Sequence, residues 1–273
     1  MNIIIKKAFE GKKALKPLPE FERYNSLQME RIIHSFFDET SPLKINDSLA
    51  RKIPMIKMVD YILREAGGTI ELTSSGYLPP KLVKDLYAKK YISEDCIDCG
   101  IVKLRTELDS MSVSLARILA RLSGAIIRKK NTLYLTSDGV CCLDDAGELF
   151  RKIIKAFFYK FNWPYYDVYG DNSVGQFGAG FSMVLLKKYG KDFQSDKFYA
   201  EKYFKAFPEL FVKSMLDWQH AINCYSVRTF DRFMYFFGFI EIKREKIQWN
   251  TDKFIKKTAL FDKLIKFDRK AIY

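Results

Sequence analysis

Residues 115–143 constrain the fold of this chain most, because several local signals follow one another there. An apolar helical pattern comes first, and Gly124, which can adopt the left-handed conformation, marks the end of that helix. Two runs with strand-like composition, 125–128 and 132–136, then flank a polar turn in which Asn131 tolerates a positive φ. This order predicts a helix followed by a β-hairpin.

A second helix is predicted directly after the hairpin. The side chain of Thr136 can accept backbone N–H bonds from the next turn of chain, so the segment 135–139 has the composition of a helix start. A helix, a glycine, a basic hairpin and a capped helix, in this order, are typical of a winged helix. We therefore predict a winged-helix-like module at about 101–145.

Residues 72–76 nearly repeat the letters of residues 135–139, and they also follow an apolar helix, a glycine and a short strand. Two related modules would produce this similarity. A shared cap chemistry would produce the same letters without a repeat. The first interpretation predicts a further winged-helix-like module at about 26–92.

The last fifty residues repeat this order in different letters. The segment 238–251 matches 124–136 within one residue in length. Strands are predicted at 239–242 and 247–249, with residues 243–246 as the turn between them. This similarity predicts a C-terminal winged-helix-like module.

Composition supports a globular α+β protein that is mainly helical. The chain has 273 residues, of which 48% are hydrophobic and 15% aromatic, and this is enough for a substantial core. We predict two or three winged-helix-like units joined by a helical middle segment. The predicted parts are an N-terminal arm at 1–25, two modules within 26–145, a helical middle at 146–225 and the C-terminal module at 226–273.

The net charge of +13 makes attraction to a polyanion reasonable, although clustered charge matters more than the total. Ten of the thirteen excess charges follow residue 150. The hairpin near residue 130 therefore lies in the half of the chain where basic and acidic residues are nearly equal in number. On this count, a bound nucleic acid is expected first at the C-terminal hairpin.

Basic residues on the predicted helices and hairpins are candidate nucleic-acid contacts. In a winged helix, the second helix of the helix-turn-helix enters the major groove, and hairpin cations contact phosphates. The i, i+4 spacing places Arg117 with Arg121, and Arg228 with Arg232, on shared helix faces. The candidate contacts are Arg117, Arg121, Arg128, Lys129, Lys130, Arg228, Arg232, Lys243, Arg244 and Lys246.

No catalytic motif is recognisable. A triad would have to use His34 or His220, and neither lies in a motif such as a nucleophile elbow. We therefore expect a protein that is not an enzyme and has no cofactor.

The five cysteines allow one weak metal hypothesis. Cys96 and Cys99 form a single Cys-x-x-Cys, whereas structural zinc needs four ligands. We favour the interpretation that Cys96 and Cys99 are two free thiols in an acidic loop. A zinc site is the minor alternative. The odd number of cysteines and the lack of a signal-peptide pattern predict a reduced, cytoplasmic protein. No apolar run approaches the ~18 residues of a membrane span.

The leading hypothesis is a non-enzymatic nucleic-acid-binding protein, such as a regulator, with duplex DNA as the partner. The alternative is a protein-interaction or assembly module in which the winged helices are structural.

Three segments also carry a resemblance to a known group. They are Leu-Thr-Ser-Ser-Gly-Tyr-Leu-Pro-Pro at 72–80, residues 124–139, and the terminal Phe-Gly-Phe-Ile-Glu and Lys-Thr-Ala-Leu-Phe-Asp-Lys-Leu. In spacing, the chain from roughly residue 30 to its end resembles uncharacterised bacterial proteins related to plasmid ORF-3-type sequences. The resemblance implies winged-helix modules and a mobile-element origin, and it implies no reaction.

Overall fold

The fold of the computed structural model is α+β and mainly helical, which confirms the predicted class. The structure describes residues 16–35, 40–214, 217–247 and 250–267. The α-helices are α1 (Ser26–His34), α2 (Pro54–Gly67), α3 (Pro80–Ala88), α4 (Asp95–Asp98), α5 (Met111–Leu122), α6 (Ser137–Asp144), α7 (Ala146–Tyr159), α8 (Ala179–Tyr189), α9 (Asp196–Ala206), α10 (Pro208–Ser214), α11 (Trp218–Ser226) and α12 (Ala259–Leu264). The strands are β1 (Leu43–Ile45), β2 (Ile70–Glu71), β3 (Ile126–Lys129), β4 (Thr132–Leu135), β5 (Gln194–Ser195), β6 (Ile240–Ile247), β7 (Asn250–Lys257) and β8 (Ile265–Phe267). Short 3-10 turns are Pro19–Phe21, Asp47–Lys52, Glu107–Asp109 and Trp163–Tyr166, and a π-helical segment, Val227–Met234, continues α11.

The chain divides into two compact units. One consists of residues 47–161, and the other combines the residues up to 46 with those from 162 onward. The division therefore differs from the predicted boundaries near residues 25, 145 and 225. We call these parts the inserted unit and the two-segment unit.

The inserted unit contains a three-stranded antiparallel sheet. Strand β4 lies between β2 and β3, with Ile70 opposite Leu133 and Ile126 opposite Leu135. Strand β2 comes from the first module predicted within 26–145, whereas the β3–β4 hairpin comes from the second. The two predicted modules therefore share one sheet.

The two similar pentapeptides have different structures. Thr136 accepts a hydrogen bond from the Gly139 N–H at 3.0 Å and caps α6, as predicted. At the earlier copy, the Gly76 N–H donates to the Thr73 carbonyl at 2.8 Å, and the chain makes a turn. Helix α3 begins only at Pro80. The shared letters thus reflect the turn-forming capacity of Thr, Ser and Gly.

Helix α5 lies at the centre of the inserted unit, where it packs against α2, α3 and α7. Val113, Leu115 and Leu119 are buried, as the apolar spacing requires. The Glu94 carboxylate accepts hydrogen bonds from the Met111 N–H at 2.9 Å and from the Ser110 hydroxyl at 2.5 Å. These bonds satisfy donors that the first turn of a helix leaves free.

The two-segment unit repeats the same strand order. Strand β7 lies between β5 and β6, with Ser195 opposite Phe254 and Ile240 opposite Lys257. The predicted turn at 243–246 is wrong, because these residues lie inside β6 and pair with residues 251–254. The hairpin is longer than expected, since alternating Ile and charged residues continue the strand. Strands β1 and β8 form a separate pair.

Aromatic side chains form much of the core of the two-segment unit. Phe21, which falls in the predicted N-terminal arm, is 0% exposed and lies 6.1 Å from Phe207 between ring centroids. The neighbouring Glu22 accepts hydrogen bonds from Tyr189 at 2.7 Å and from Lys202 at 3.1 Å. Residues 16–25 are therefore packed onto the unit, and residues 1–15 of the predicted arm lie outside the described residues.

A buried ion pair connects the loop after residue 166 to the π-helical segment. Arg228, which is 1% exposed, donates two hydrogen bonds to Asp167, at 2.8 and 2.9 Å. Its other N–H groups donate to Asn172 and to the Gly170 and Val174 carbonyls. The guanidinium is thus satisfied entirely inside the protein.

Substituting Asp167→Ala should lower the free energy of unfolding by about 3–5 kcal/mol, because it leaves a buried guanidinium without its counter-ion. Urea-induced unfolding followed by circular dichroism measures this difference. Asp171→Ala is the matched control, because this exposed side chain pairs with no cation among the described residues. Equal effects of the two substitutions would contradict the role given to Asp167.

Candidate nucleic-acid interface

The β3–β4 hairpin carries three of the candidate residues, Arg128, Lys129 and Lys130, and all three are exposed. Lys129 pairs with Thr132, so Lys130 and Asn131 form a two-residue loop. The positive φ lies at Lys130, at 52°, and not at Asn131 as predicted. The Asn131 amide instead donates to the Leu72 carbonyl at 2.6 Å. This bond fixes the loop against the neighbouring turn.

The turn formed by residues 73–77 also positions Arg128. A Cβ atom on Gly76 would lie 2.9 Å from one guanidinium nitrogen of Arg128, so the glycine makes room for this side chain. The φ of Gly76 is 80°, a conformation that side-chain-bearing residues rarely adopt. The Arg128 Nε donates to the Lys130 carbonyl at 2.8 Å. This role of Gly76 was not predicted from the sequence, because the turn and the hairpin are distant in the chain.

Arg121 is exposed at the end of α5, close to Arg117 and Arg128. Partial burial, and then the positive charges of these two arginines, lower its pKa. No carboxylate among the described residues pairs with Arg121. We define the hairpin cation cluster as Arg121, Arg128, Lys129 and Lys130, which are all exposed. Within the described ranges, none of its members forms an ion pair with an acid.

Arg117, in contrast, is not available to a ligand. It is 7% exposed, and its Nε lies 2.6 Å from the Glu107 carboxylate. Glu107 is itself fully buried and accepts the Leu78 N–H at 2.7 Å. The prediction of a phosphate contact at Arg117 is therefore wrong, because an internal carboxylate already binds this guanidinium.

The predicted entry of the central helix into a groove is contradicted as well. Eight residues of α5 are buried, three are intermediate, and Arg121 is its only exposed residue. Helices α2, α3 and α7 cover the remainder. A helix with a single exposed residue presents no continuous face to the bases of a duplex.

The arginines before the C-terminal hairpin also point into the protein. Arg228 and Arg232 share a helix face as predicted, since both contact Asp167, Arg232 at 3.3 Å. Arg232 also donates to the Tyr166 carbonyl at 2.6 Å. Arg228 is buried and Arg232 is largely covered, so the prediction that these two arginines contact nucleic acid is wrong.

Acidic neighbours compensate the cations of strand β6. Lys243 lies 2.5 Å from Glu245, and Arg244 lies 3.2 Å from Asp231, which also pairs with Lys253 at 2.6 Å. The side chain of Lys246 lies outside the described residues. The basic excess of the C-terminal half therefore does not produce a free cationic surface at Lys243 and Arg244.

Cysteine and histidine geometry bears on the zinc hypothesis. Cys96, Cys99 and Cys141 are exposed thiols, whereas Cys142 and Cys224 are buried. Across the described ranges, no group of three or more His, Cys, Asp and Glu side chains is arranged to hold a metal ion. In the same ranges, no helix combines the length and the apolar character needed to cross a membrane.

No family model, curated protein or solved structure matches this chain. The resemblance to plasmid ORF-3-type proteins stays a prediction. The assignment of the interface therefore depends on the geometry of the hairpins.

Lys130→Asn should raise the free energy of unfolding by up to about 1 kcal/mol, because asparagine tolerates the left-handed conformation better than lysine. Urea unfolding measures the change. Lys129→Asn is the matched control: it removes the same charge from a strand residue, where asparagine is disfavoured, and should give no gain. A loss of stability in the Lys130 variant would contradict the strain inferred at this loop.

Proposed function

We propose that this protein binds nucleic acid without catalysing a reaction, and that the hairpin cation cluster provides its phosphate contacts. The observation that carries the proposal is that the four cations of this cluster are exposed and form no ion pair with an acid within the described residues. A phosphate placed among these groups would relieve their mutual repulsion. Phosphate contacts of this kind supply most non-specific affinity for nucleic acid.

Both units are proposed to be winged-helix-like. Support comes from their common order of one helix, a strand, three helices and a hairpin, in which the first strand pairs with the last. In the inserted unit, α5 would correspond to the helix that usually enters the groove, but it is covered. The hairpin therefore makes the contact, and it recognises the phosphate backbone more than the base sequence.

Duplex DNA is the proposed partner, and a regulator or mobile-element protein is the proposed biological class. A reducing compartment such as the cytoplasm is consistent with five cysteines that are all free thiols.

A second candidate function is protein docking at the same hairpin. Ile127 and Tyr134 lie directly opposite each other on its outer face and are 46% and 37% exposed. An exposed apolar pair of this kind favours an assembly role, as in the alternative drawn from the sequence. Replacing both by serine should abolish such docking while leaving phosphate contacts intact.

Fluorescence anisotropy with a labelled duplex of about 20 base pairs, titrated over salt, tests the leading proposal. The triple variant Arg121→Gln, Lys129→Gln, Lys130→Gln should bind more weakly. Its slope of log affinity against log salt should be smaller by about 2–3, since each lost phosphate contact removes about 0.9.

The matched control is Lys243→Gln with Arg244→Gln, which removes cations that already have acidic partners and should leave the slope nearly unchanged. Absence of binding by the unmodified protein at ~50 mM salt would overturn the proposal. Equal losses in both variants would overturn the assignment to the first hairpin.

A further inference from the structure

The short helix α4 presents two thiols on one exposed turn. Cys96 is its second residue, and Cys99 is the residue that caps its end. Both side chains are exposed. The Cys99 thiol donates to the Asp95 carbonyl at 2.6 Å, whereas the structure gives no hydrogen bond to the Cys96 thiol within the described residues.

The spacing of these two cysteines is close to that of a disulfide. Residues three apart on a helix have Cβ atoms about 5–6 Å apart, and a disulfide needs about 3.5–4.5 Å. Closure therefore requires the turn to tighten by ~1–2 Å. Room for this movement exists at Gly100, where φ is 76° and no atom lies within 4 Å of the position that a Cβ would occupy.

The remaining thiols are poor candidates for the same chemistry. Burial raises the pKa of the Cys142 thiol, and burial raises that of Cys224 to about 12. The thiolate is the reactive form, so both residues are protected. Cys141 is exposed, but the cysteine next to it in the chain, Cys142, is buried.

We propose that Cys96 and Cys99 form a thiol–disulfide exchange site that reacts with low-molecular-weight disulfides. The Cys96 thiolate attacks one sulfur of the small disulfide, forms a mixed disulfide and releases one small thiol. The Cys99 thiolate then attacks the Cys96 sulfur and releases the second. The two protein thiol protons end on the two departing thiols, so two protein thiols are oxidised while one disulfide is reduced.

Two side chains connect this turn to the rest of the inserted unit. Asp98, inside α4, accepts hydrogen bonds from Tyr87 at 2.8 Å and from Lys90. Glu94, directly before α4, accepts the N–H groups of Met111 and Ser112 at the start of α5. We therefore expect oxidation to loosen the capped start of the helix that ends at the hairpin cation cluster.

Incubation of the reduced full chain with oxidised glutathione, followed by acid quenching and peptide mass spectrometry, tests the exchange site. We expect the peptide with Cys96 and Cys99 to lose ~2 Da, the mass of two hydrogens, and to recover it on reduction. Cys99→Ser should stop the reaction at a glutathione adduct on Cys96. Cys141→Ser, the matched control, should leave the ~2 Da loss unchanged.

Stable glutathione adducts on both Cys96 and Cys99, or reaction at Cys141 alone, would overturn the proposal. Neither outcome depends on nucleic-acid binding, so the result is independent of the proposed function.

Hydrogen exchange tests the connection to α5. Amide exchange at Met111 and Ser112 should become faster after oxidation, relative to a Cys96→Ser, Cys99→Ser variant given the same treatment. Unchanged exchange would overturn the connection through Glu94.

Discussion

Buried carboxylates determine which arginines of this protein remain accessible. In each unit, an arginine on the helical segment before the hairpin binds an internal acid. Before the β3–β4 hairpin, Arg117 binds Glu107, and before the β6–β7 hairpin, Arg228 binds Asp167. Removing two charges from water is costly, and further hydrogen bonds offset part of this cost: Glu107 also accepts the Leu78 N–H, and Arg228 also donates to Asn172 and to backbone carbonyls. Losing one partner would leave an uncompensated charge in the core. Apolar side chains bury both helical segments, and these pairs neutralise the arginines that are buried with them.

This constraint changes where a polyanion can bind. A helical segment that is buried together with its arginine cannot read a groove, so accessible charge has to come from the hairpins. On the C-terminal hairpin, acids lie beside Lys243 and Arg244. On the first hairpin, Arg128 packs against Gly76 of a neighbouring turn, and at the adjacent end of α5 no acid among the described residues pairs with Arg121. Net charge along the sequence favours the β6–β7 hairpin as the site of polyanion binding. The pairing of cations with acids in the structure favours the β3–β4 hairpin instead.

Local signals in the sequence were sufficient for much of the fold. Gly124 ends a helix, Thr136 caps the next, and the β3–β4 hairpin lies where its composition placed it. The pairing of β2 with β4 was not predictable, because it joins residues about sixty positions apart and no local pattern specifies that register. The acidic partners Glu107 and Asp167 were missed for the same reason. Helical spacing shows which arginines share a face, but it does not show whether that face is covered.

A bound DNA duplex is proposed to contact the β3–β4 hairpin and not the β6–β7 hairpin. Hydrogen–deuterium exchange of the full chain, with and without duplex DNA at low salt, locates the contact directly. We predict slower amide exchange in residues 126–135 when DNA is bound, with no change in residues 240–247. Protection of the C-terminal hairpin with unchanged exchange in residues 126–135 would contradict this claim.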